Sequence, residues 1–318
     1  MTRLLHSLRI ALLISLFFPA LGHASCGASF CASDSQWDGP AFGAGTRLDL
    51  RFEYINQNQP MHAREKVSVG AIRQHHDEVR TINRNLLLSA DHAHRSGWRL
   101  AWHLPVISRS HDHIHNHRGA VIPQAWEIEA VGDVRILLQR RLGSEGGDAT
   151  PGIAWGLKLP TGSFNQRNDD GSLAERGLQP GTGTTDLVLG YFHHARTLIG
   201  TRPLSWFAQA YYHAPLNHRA DYAPGFRLSI DTGIALPLAH DWEGMVQLNA
   251  LVRGRDQGGE AEPLNTGGSF LWVSPGIGWR LNRQSQFYGF VQLPLYQRVN
   301  GVQLTAPWAA TVGYRHQF

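Results

Sequence analysis

Histidines are the residues best suited to chemistry in this chain, which contains 18 of them. Four alternate within the segment Ser110-His111-Asp112-His113-Ile114-His115-Asn116-His117. In extended backbone every second side chain lies on the same side, so the four imidazoles would share one face. Neutral imidazoles suit Zn or Cu, with Asp112 as an oxygen ligand if the loop bends. We predict a metal site at His111, His113, His115 and His117, with solvated polar surface as the alternative.

A second group of metal-binding residue types occupies the first long loop that we predict, at His62, His75, His76 and Asp77. The predicted topology places it on the same side as the first group. We predict that a Zn or Cu ion is an optional ligand of the histidine-rich segment and that the protein requires no cofactor.

The two cysteines, Cys26 and Cys31, lie close together near the N-terminus. A close pair in an oxidising compartment usually forms a small disulfide loop, which we predict here. A soft-metal site is the alternative, although two thiols are too few ligands to specify a metal. Lipidation of Cys26 is a further alternative, but His23 stands where a lipobox needs an aliphatic residue.

The sequence offers no recognisable catalytic constellation. Ser108 and Ser110 are near His103 and His111 in sequence, but adjacent residues on a strand point apart. The paired acids Asp169 and Asp170 lie in a polar loop. We therefore predict that the protein is not an enzyme. A Ser and a His on neighbouring strands at one level would be the observation in favour of catalysis.

The N-terminus has the form of a secretory signal peptide over residues 1–24. Arg3 and Arg9 precede an apolar run that extends from Ile10 to Leu21, and small residues end at Ala24. The apolar run is too short to span a bilayer as a helix. Loss of the two arginines lowers the formal charge of +4 towards neutrality, which argues against a nucleic-acid partner.

Alternating strands dominate the remaining chain. At residues 46–55 an apolar face carrying Leu48, Leu50 and Phe52 alternates with a charged face. This run is the first of about twelve. The others lie at 78–91, 97–107, 130–142, 152–160, 184–195, 204–213, 225–235, 242–253, 269–280, 286–296 and 305–317. Long connections alternate with short ones, as in outer-membrane barrels. We predict an all-β, antiparallel, up-and-down transmembrane barrel of about 12 strands over residues 46–318, preceded by a short periplasmic segment or plug at residues 25–45.

Tryptophan and tyrosine residues mostly share the apolar phase of these runs, as an interfacial girdle requires. The last run places Ala310, Val312, Tyr314, His316 and Phe318 on one phase. This ending resembles the C-terminal signature of bacterial outer-membrane proteins, which implies the barrel assembly machinery as a partner of Phe318. A soluble β-sandwich is the alternative, but the number of strands and the loop asymmetry argue against it.

Two glycine-rich stretches flank one long loop. The first is Gly-Leu-Lys-Leu-Pro-Thr-Gly from Gly156, and the second is Leu-Gln-Pro-Gly-Thr-Gly-Thr-Thr-Asp from Leu178. Both resemble the outer-membrane family of putative transporters of the phenol meta-pathway type, as does Tyr222-Ala223-Pro224-Gly225 before a later strand. The resemblance covers roughly residues 130–318. It implies passage of small molecules rather than chemistry, and it does not identify the solute.

Charged residues fall on the phase opposite the apolar one and would face the lumen, because charge is costly on the lipid face. The residues predicted to line the lumen are Arg51, Glu53, Arg99, Asp133, Arg135, Lys158, Asp186, Arg227 and Asp231. They indicate either a conduit for polar or anionic solutes or ion pairs that fill a narrow lumen. We predict an outer-membrane channel or transporter of a Gram-negative bacterium, surrounded by lipid. A non-conducting barrel that binds metal or a partner, or has a structural role, is the alternative.

Overall fold

The computed structural model describes residues 44–70, 77–117, 120–143 and 148–318. The predicted signal peptide, Cys26 and Cys31 lie outside these residues. So do His75 and His76 of the second histidine group. The strands are β1 (Gly45–Gln57), β2 (Gln59–His62), β3 (Glu65–Lys66), β4 (Asp77–Ala93), β5 (Trp98–His117), β6 (Ala120–Val131), β7 (Arg135–Arg141), β8 (Ala149–Lys158), β9 (Asp186–Ile199), β10 (Arg202–Pro215), β11 (Arg227–Pro237), β12 (Trp242–Arg253), β13 (Gly268–Arg280), β14 (Ser285–Val299), β15 (Val302–Thr305) and β16 (Ala309–Gln317).

Thirteen of these strands form one antiparallel sheet that closes on itself. β1 pairs with β16 on one side and with β4 on the other, so that the first and last barrel strands meet. β6 and β7 both pair with β5, on either side of residues 132–134, and together make one interrupted barrel strand. The result is a closed 12-stranded barrel, which confirms the predicted fold class.

The two faces of the barrel wall have opposite chemistry. On β1 the outward Leu48, Leu50 and Phe52 are 43%, 43% and 41% exposed, whereas the inward Glu53 is 2% exposed. Successive side chains of a strand point to opposite faces, so the period-two pattern in the sequence becomes an apolar outside and a polar inside. The C-terminal Val312, Tyr314 and Phe318 share the outward phase, in register with the apolar residues of β1.

Connections differ at the two ends of the barrel. Four-residue turns such as 94–97, 238–241 and 281–284 lie at one end, here called the turn end. The other end, the long-loop end, carries loops at 159–185, 216–226 and 254–267. The predicted alternation of long and short connections is therefore confirmed, except at one connection.

That exception concerns the histidine-rich segment, which we predicted to be a loop. It is the end of β5, paired residue by residue with β6, for example His111 with Trp126 and His113 with Gln124. The prediction of a long loop is wrong because the alternation of side chains between the two faces of a strand continues through the histidines and across residues 120–131. β5 and β6 therefore extend the wall on this side of the long-loop end as a hairpin.

Sequence patterns did not reveal the small second sheet at the long-loop end. β2 pairs with β15, which is far away in the sequence, and with β3, which follows it after two residues. It packs beside an apolar cluster at the mouth, which includes Ile55, Met61, Phe270 and Trp272. Among the described residues, no helix is long and apolar enough to cross a membrane.

Candidate functional site: the lumen and its inward loop

All the predicted lumen residues that belong to strands lie on the inward phase of the wall. At the turn end, Arg99 is fully buried and its Nη2 contacts Asp91 Oδ2 at 2.6 Å. Arg47 Nε donates to the same carboxylate at 2.9 Å. One acid thus holds two guanidinium groups across three neighbouring strands. This cluster is an ion-pair network that occupies space in the lumen rather than a row of free charges.

The middle of the lumen is lined by hydrogen-bonded polar side chains. Asp231 accepts hydrogen bonds from Gln209 Nε2 at 3.2 Å and from Asn249 Nδ2 at 2.8 Å. Asn249 in turn accepts from Ser274 Oγ at 2.7 Å. These residues come from four consecutive strands, β10 to β13, and all are buried. The wall is therefore polar here while its side chains satisfy one another.

The remaining predicted charges are placed as follows. Arg51 Nε lies 3.2 Å from Glu53 Oε1 on the same inward face of β1. Arg135 is opposite His103 and Lys158, and Arg227 is opposite His213 and Arg253. Both arginines are half-buried. Their placement inside the barrel agrees with the predicted phase, and their part in transport stays a prediction.

Aromatic side chains narrow the lumen by lying flat against glycines of the neighbouring strand. Tyr211 is paired with Gly190, where an added Cβ would lie 2.5 Å from Tyr211 Cε1. Phe207 is paired with Gly233 in the same way, at 2.6 Å. Tyr211 also accepts a hydrogen bond at its hydroxyl from Gln139 Nε2 at 3.2 Å, so that β7 and β10 are joined across the lumen.

Residues 159–185, here called the inward loop, leave the wall and fold into the barrel. Their two ends meet at Asp133, in the interruption between β6 and β7. Asp133 accepts from the backbone N–H of Gly162 at 3.0 Å and of Thr182 at 2.9 Å. Gly162 and Thr182, one from each glycine-rich stretch of the family resemblance, are thus the anchored positions of this loop. The predicted lumen residue Asp133 serves here as a loop anchor.

Lys158 completes this anchor. Its Nζ lies 2.8 Å from Asp133 Oδ2 and 3.3 Å from Asp186 Oδ1, and it donates to Thr184 O at 2.8 Å. It also contacts the Thr182 hydroxyl. A buried ammonium needs its charge matched and its three protons bonded, and this arrangement provides both.

The tip of the inward loop packs on the protruding wall of β5 and β6. Leu178 is fully buried in an apolar cluster with Trp126, Ile128 and Leu304. Arg109 Nη1 donates to the carbonyl oxygens of Gly177 and Leu178 at 3.2 and 2.6 Å. The loop therefore lies across the lumen at the long-loop end.

The two described histidine side chains of the predicted metal group are buried: His111 contacts β4, and His113 faces this loop. His111 Nδ1 is 2.9 Å from Thr81 Oγ1, and His113 Nδ1 is 3.9 Å from Glu175 Oε1 on the loop. Among the residues whose side chains are described, no three His, Cys, Asp or Glu come together as metal ligands. That set does not include the side chains of His115 and His117, so the metal site stays a prediction.

Acidic side chains line a cavity of about 210 Å³ between the inward loop and the loop at 254–267. Burial, together with the charges of Glu175, Glu78 and Asp256, raises the pKa of Glu262 well above its usual range. On the same cavity Arg176 Nη2 lies 3.6 Å from Glu260 Oε2. The two loops thus meet through carboxyl groups, of which Glu262 favours its protonated form.

The structure contains the serine–histidine contact that sequence analysis could not find. Ser89 Oγ on β4 lies 2.9 Å from His103 Nδ1 on β5. The same contact recurs between Thr81 and His111 and between Ser285 and His316, at 2.9 and 2.8 Å. Because it repeats on different strand pairs, it is a recurrent cross-strand hydrogen bond and does not single out a nucleophile with its base.

No family model matches this sequence, and no curated protein matches it. Several solved structures match this chain. The COG4313 outer membrane channel from Pseudomonas putida F1 matches with a TM-score of 0.65 at 12% identity, over 90% of this chain and 100% of the channel. The NanC porin matches at 0.47 and 10% identity, and the β domain of the Bordetella autotransporter BrkA at 0.48 and 11%. They cover 85% and 87% of this chain, respectively, and all of their own chains.

At these identities the likeness concerns the fold. The fold that this chain shares with the COG4313 channel is that of an outer-membrane β-barrel. In such barrels the short turns face the periplasm and the long loops face outward. On the outer-membrane location that is proposed below, the turn end is called periplasmic and the long-loop end extracellular.

Proposed function

We propose that this protein is a channel or transporter in the outer membrane of a Gram-negative bacterium and that it passes small solutes. The observation that carries the proposal is a closed barrel with an apolar outward wall and an inward wall of polar and charged side chains through its middle. A wall of this kind suits water and polar solutes on the inside and lipid on the outside.

The resemblance to the phenol meta-pathway family of putative transporters supports the same role. Its two stretches form the ends of the inward loop, at the position where a loop can control passage through the barrel. Polar or anionic solutes suit the arginines of the inward face, and metal ions are the solute class suggested by the histidines.

The inward loop has to move for solutes to pass, because its tip packs against Trp126 and Ile128 inside the extracellular mouth. The contacts that hold the tip include one apolar cluster and the hydrogen bonds from Arg109 and Trp126, besides the contacts of Glu175 and Arg176 described above. We therefore expect a barrel that is closed most of the time and opens when these contacts break.

Single-channel conductance of the refolded mature protein in planar bilayers tests this function. The wild type should conduct in brief openings, and a variant in which residues 164–179 are replaced by a short Gly-Ser linker should conduct steadily. The ends of the loop and Lys158 are retained in that variant, so the anchor at Asp133 is preserved. Absence of conductance from a correctly inserted loop-deleted barrel would rule out the channel.

Metal ions are tested in the same bilayers. Zn or Cu added on the extracellular side should block the current if the histidine segment binds metal at the mouth. Replacement of His111, His113, His115 and His117 by Ala should then abolish the block. A block that persists in this variant would locate the metal elsewhere.

A non-conducting barrel is the second candidate, and one observation favours it. Inward side chains at several levels, among them Gln139, Glu53 and Phe192, are no more than 2% exposed, so little space for water surrounds them. Such a barrel would bind metal or a partner through its extracellular loops. It predicts no current from either the wild type or the loop-deleted variant.

A further inference from the structure

An apolar groove lies on the outward wall at the periplasmic end of the barrel. It has a volume of about 560 Å³ and is formed by side chains of β1, β4, β5 and β16. Its apolar lining comprises Leu48, Leu50, Leu88, Trp102, Tyr314 and Phe318. All six share the outward phase that the register assigns to the lipid face. The groove therefore opens to the hydrocarbon of the bilayer.

Two arginines lie at the periplasmic margin of the same wall. Arg95 is exposed in the turn 94–97 that joins β4 to β5. Arg140 lies over the ring of Trp98, with its Cζ 5.2 Å from the ring centroid, and its Nη1 contacts Ser96 O in that turn. The Arg140 guanidinium is thus held against this turn, and Arg95 belongs to the turn itself.

The acid of β4 that lies nearest to this turn does not neutralise the two arginines, because it is not on the outward face of the wall. Asp91 points inward, where Arg47 and Arg99 bind its carboxylate. The aromatic support beneath Arg140 extends to Trp155, whose ring meets that of Trp98 edge to face at 5.6 Å. Tryptophan rings in this position mark the boundary between hydrocarbon and headgroups. The arginines accordingly lie at headgroup depth.

The groove and the two arginines are close enough for one molecule to contact both. Trp98 and Trp102 are four residues apart on the outward face of β5, which corresponds to about 13 Å along the strand. Arginine binds phosphate with paired hydrogen bonds, and an acyl chain gains free energy for each methylene that it buries against an apolar wall. A headgroup phosphate at the arginines would leave its acyl chain in the groove.

We propose that this wall binds one phospholipid of the periplasmic leaflet, with a net anionic headgroup such as phosphatidylglycerol. Arg95 and Arg140 bind the phosphate, and the groove holds an acyl chain. Two cations at one turn favour a headgroup that carries no ammonium group of its own, so phosphatidylethanolamine should bind more weakly. The site is separate from the lumen and goes beyond the proposed channel function.

Native mass spectrometry of the mature protein, released from detergent micelles, tests the proposal. The probes are dioleoylphosphatidylglycerol, dioleoylphosphatidylethanolamine and water-soluble glycerol 3-phosphate. We expect retention of one phosphatidylglycerol. The variant Arg95→Gln/Arg140→Gln should retain it at least ten-fold less, and Leu48→Trp, which narrows the groove, should also reduce retention. Arg283→Gln, in a different periplasmic turn, is the matched control and should retain lipid as the wild type does.

Each other outcome overturns the proposal in a recognisable way. Equal retention of the two phospholipids would exclude a site selective for anionic headgroups. Competition by glycerol 3-phosphate would indicate a phosphate site without a lipid. An equal loss in Arg283→Gln would indicate attraction by the whole periplasmic rim rather than this turn. Heat-modifiable gel mobility of each variant shows that its barrel has folded.

Discussion

Lys158 illustrates how a single residue can carry a different role from the one its strand phase indicates. Its inward position fits a lumen-lining cation, but its ammonium group joins Asp133 of the strand interruption to Asp186 of β9. The charge is used within the protein wall, at the base of the inward loop. Its removal would leave two carboxylates close together without their shared cation.

We predict that Lys158→Met loosens the inward loop, because breaking a buried ion pair on one side costs about 3–5 kcal/mol. Limited proteolysis of the folded barrel should then cut within residues 163–179 much faster than in the wild type. Lys66→Met, at an exposed position outside this loop, is the control and should leave cleavage unchanged. Equal protection of Lys158→Met and wild type would show that the ion pairs do not hold the loop.

Glu262 leads to a prediction about pH. Burial and neighbouring acids raise its pKa in the closed arrangement above the usual 4.5, so closure favours the protonated carboxyl. A raised acid pKa means that the stability of the closed state is fully present below the usual pKa and is lost as pH rises towards the raised value. The loops at 159–185 and 254–267 should separate more often at alkaline pH.

The measurement is channel opening, or proteolysis of the inward loop, between pH 5 and pH 9. Opening should increase with pH in the wild type, and the increase should be much smaller in Glu262→Gln, which mimics the protonated carboxyl. Glu65→Gln, at an exposed position of β3, is the control. An opening rate that falls with increasing pH would contradict the assigned direction.

At the scale of the strand, alternation decides which substitutions the barrel tolerates. Ile230 of β11 faces outward and is 49% exposed, next to the inward Asp231. We predict that Ile230→Arg destabilises the barrel by about 2–4 kcal/mol, the cost of an arginine at mid-depth of the lipid face. Urea unfolding in lipid vesicles measures this. Leu216→Arg, in the extracellular loop after β10, should change the stability by less than about 0.5 kcal/mol.

Neighbouring strands also fit together through their glycines. We predict that Gly190→Leu destabilises the barrel by about 1–3 kcal/mol, because the new side chain meets the ring of Tyr211. In the double variant Gly190→Leu/Tyr211→Ala the ring is gone and part of the loss should be recovered. The coupling between the two substitutions is the measured quantity. Additive losses would show that the ring and the glycine do not pack together.

At the scale of the whole molecule, closure depends on the last strand, since β16 joins β14 to β1. Tyr314 and Phe318 lie on the outward phase, which agrees with the resemblance of this ending to the C-terminal signature of bacterial outer-membrane proteins. We predict that deletion of Phe318 lowers the amount of folded protein in the outer membrane of cells at least several-fold. Refolding of the same variant in detergent should be nearly unchanged. Equal losses in cells and in detergent would point to a role of Phe318 in stability alone.

The sequence by itself determined the barrel, most of the strand positions and the face on which the residues of those strands lie. Period-two alternation is a local property, and Leu48 or Asp231 can be assigned to a face from its neighbours alone. The same pattern misled at the histidine segment, since it continued as strand where a loop was expected. It also could not detect β2, β3 and β15, which are short, and of which β2 and β15 pair across the whole chain.

Only the tertiary structure decided what the inward charges do. Whether Lys158 faces water or two carboxylates depends on strands and a loop that are 25–28 residues away in the chain. The inward loop is glycine-rich, and its path follows from hydrogen bonds to Asp133 and burial of Leu178 against β6. Ion pairs and buried contacts between distant segments have no local periodicity, so no pattern in the sequence could predict that the loop enters the lumen.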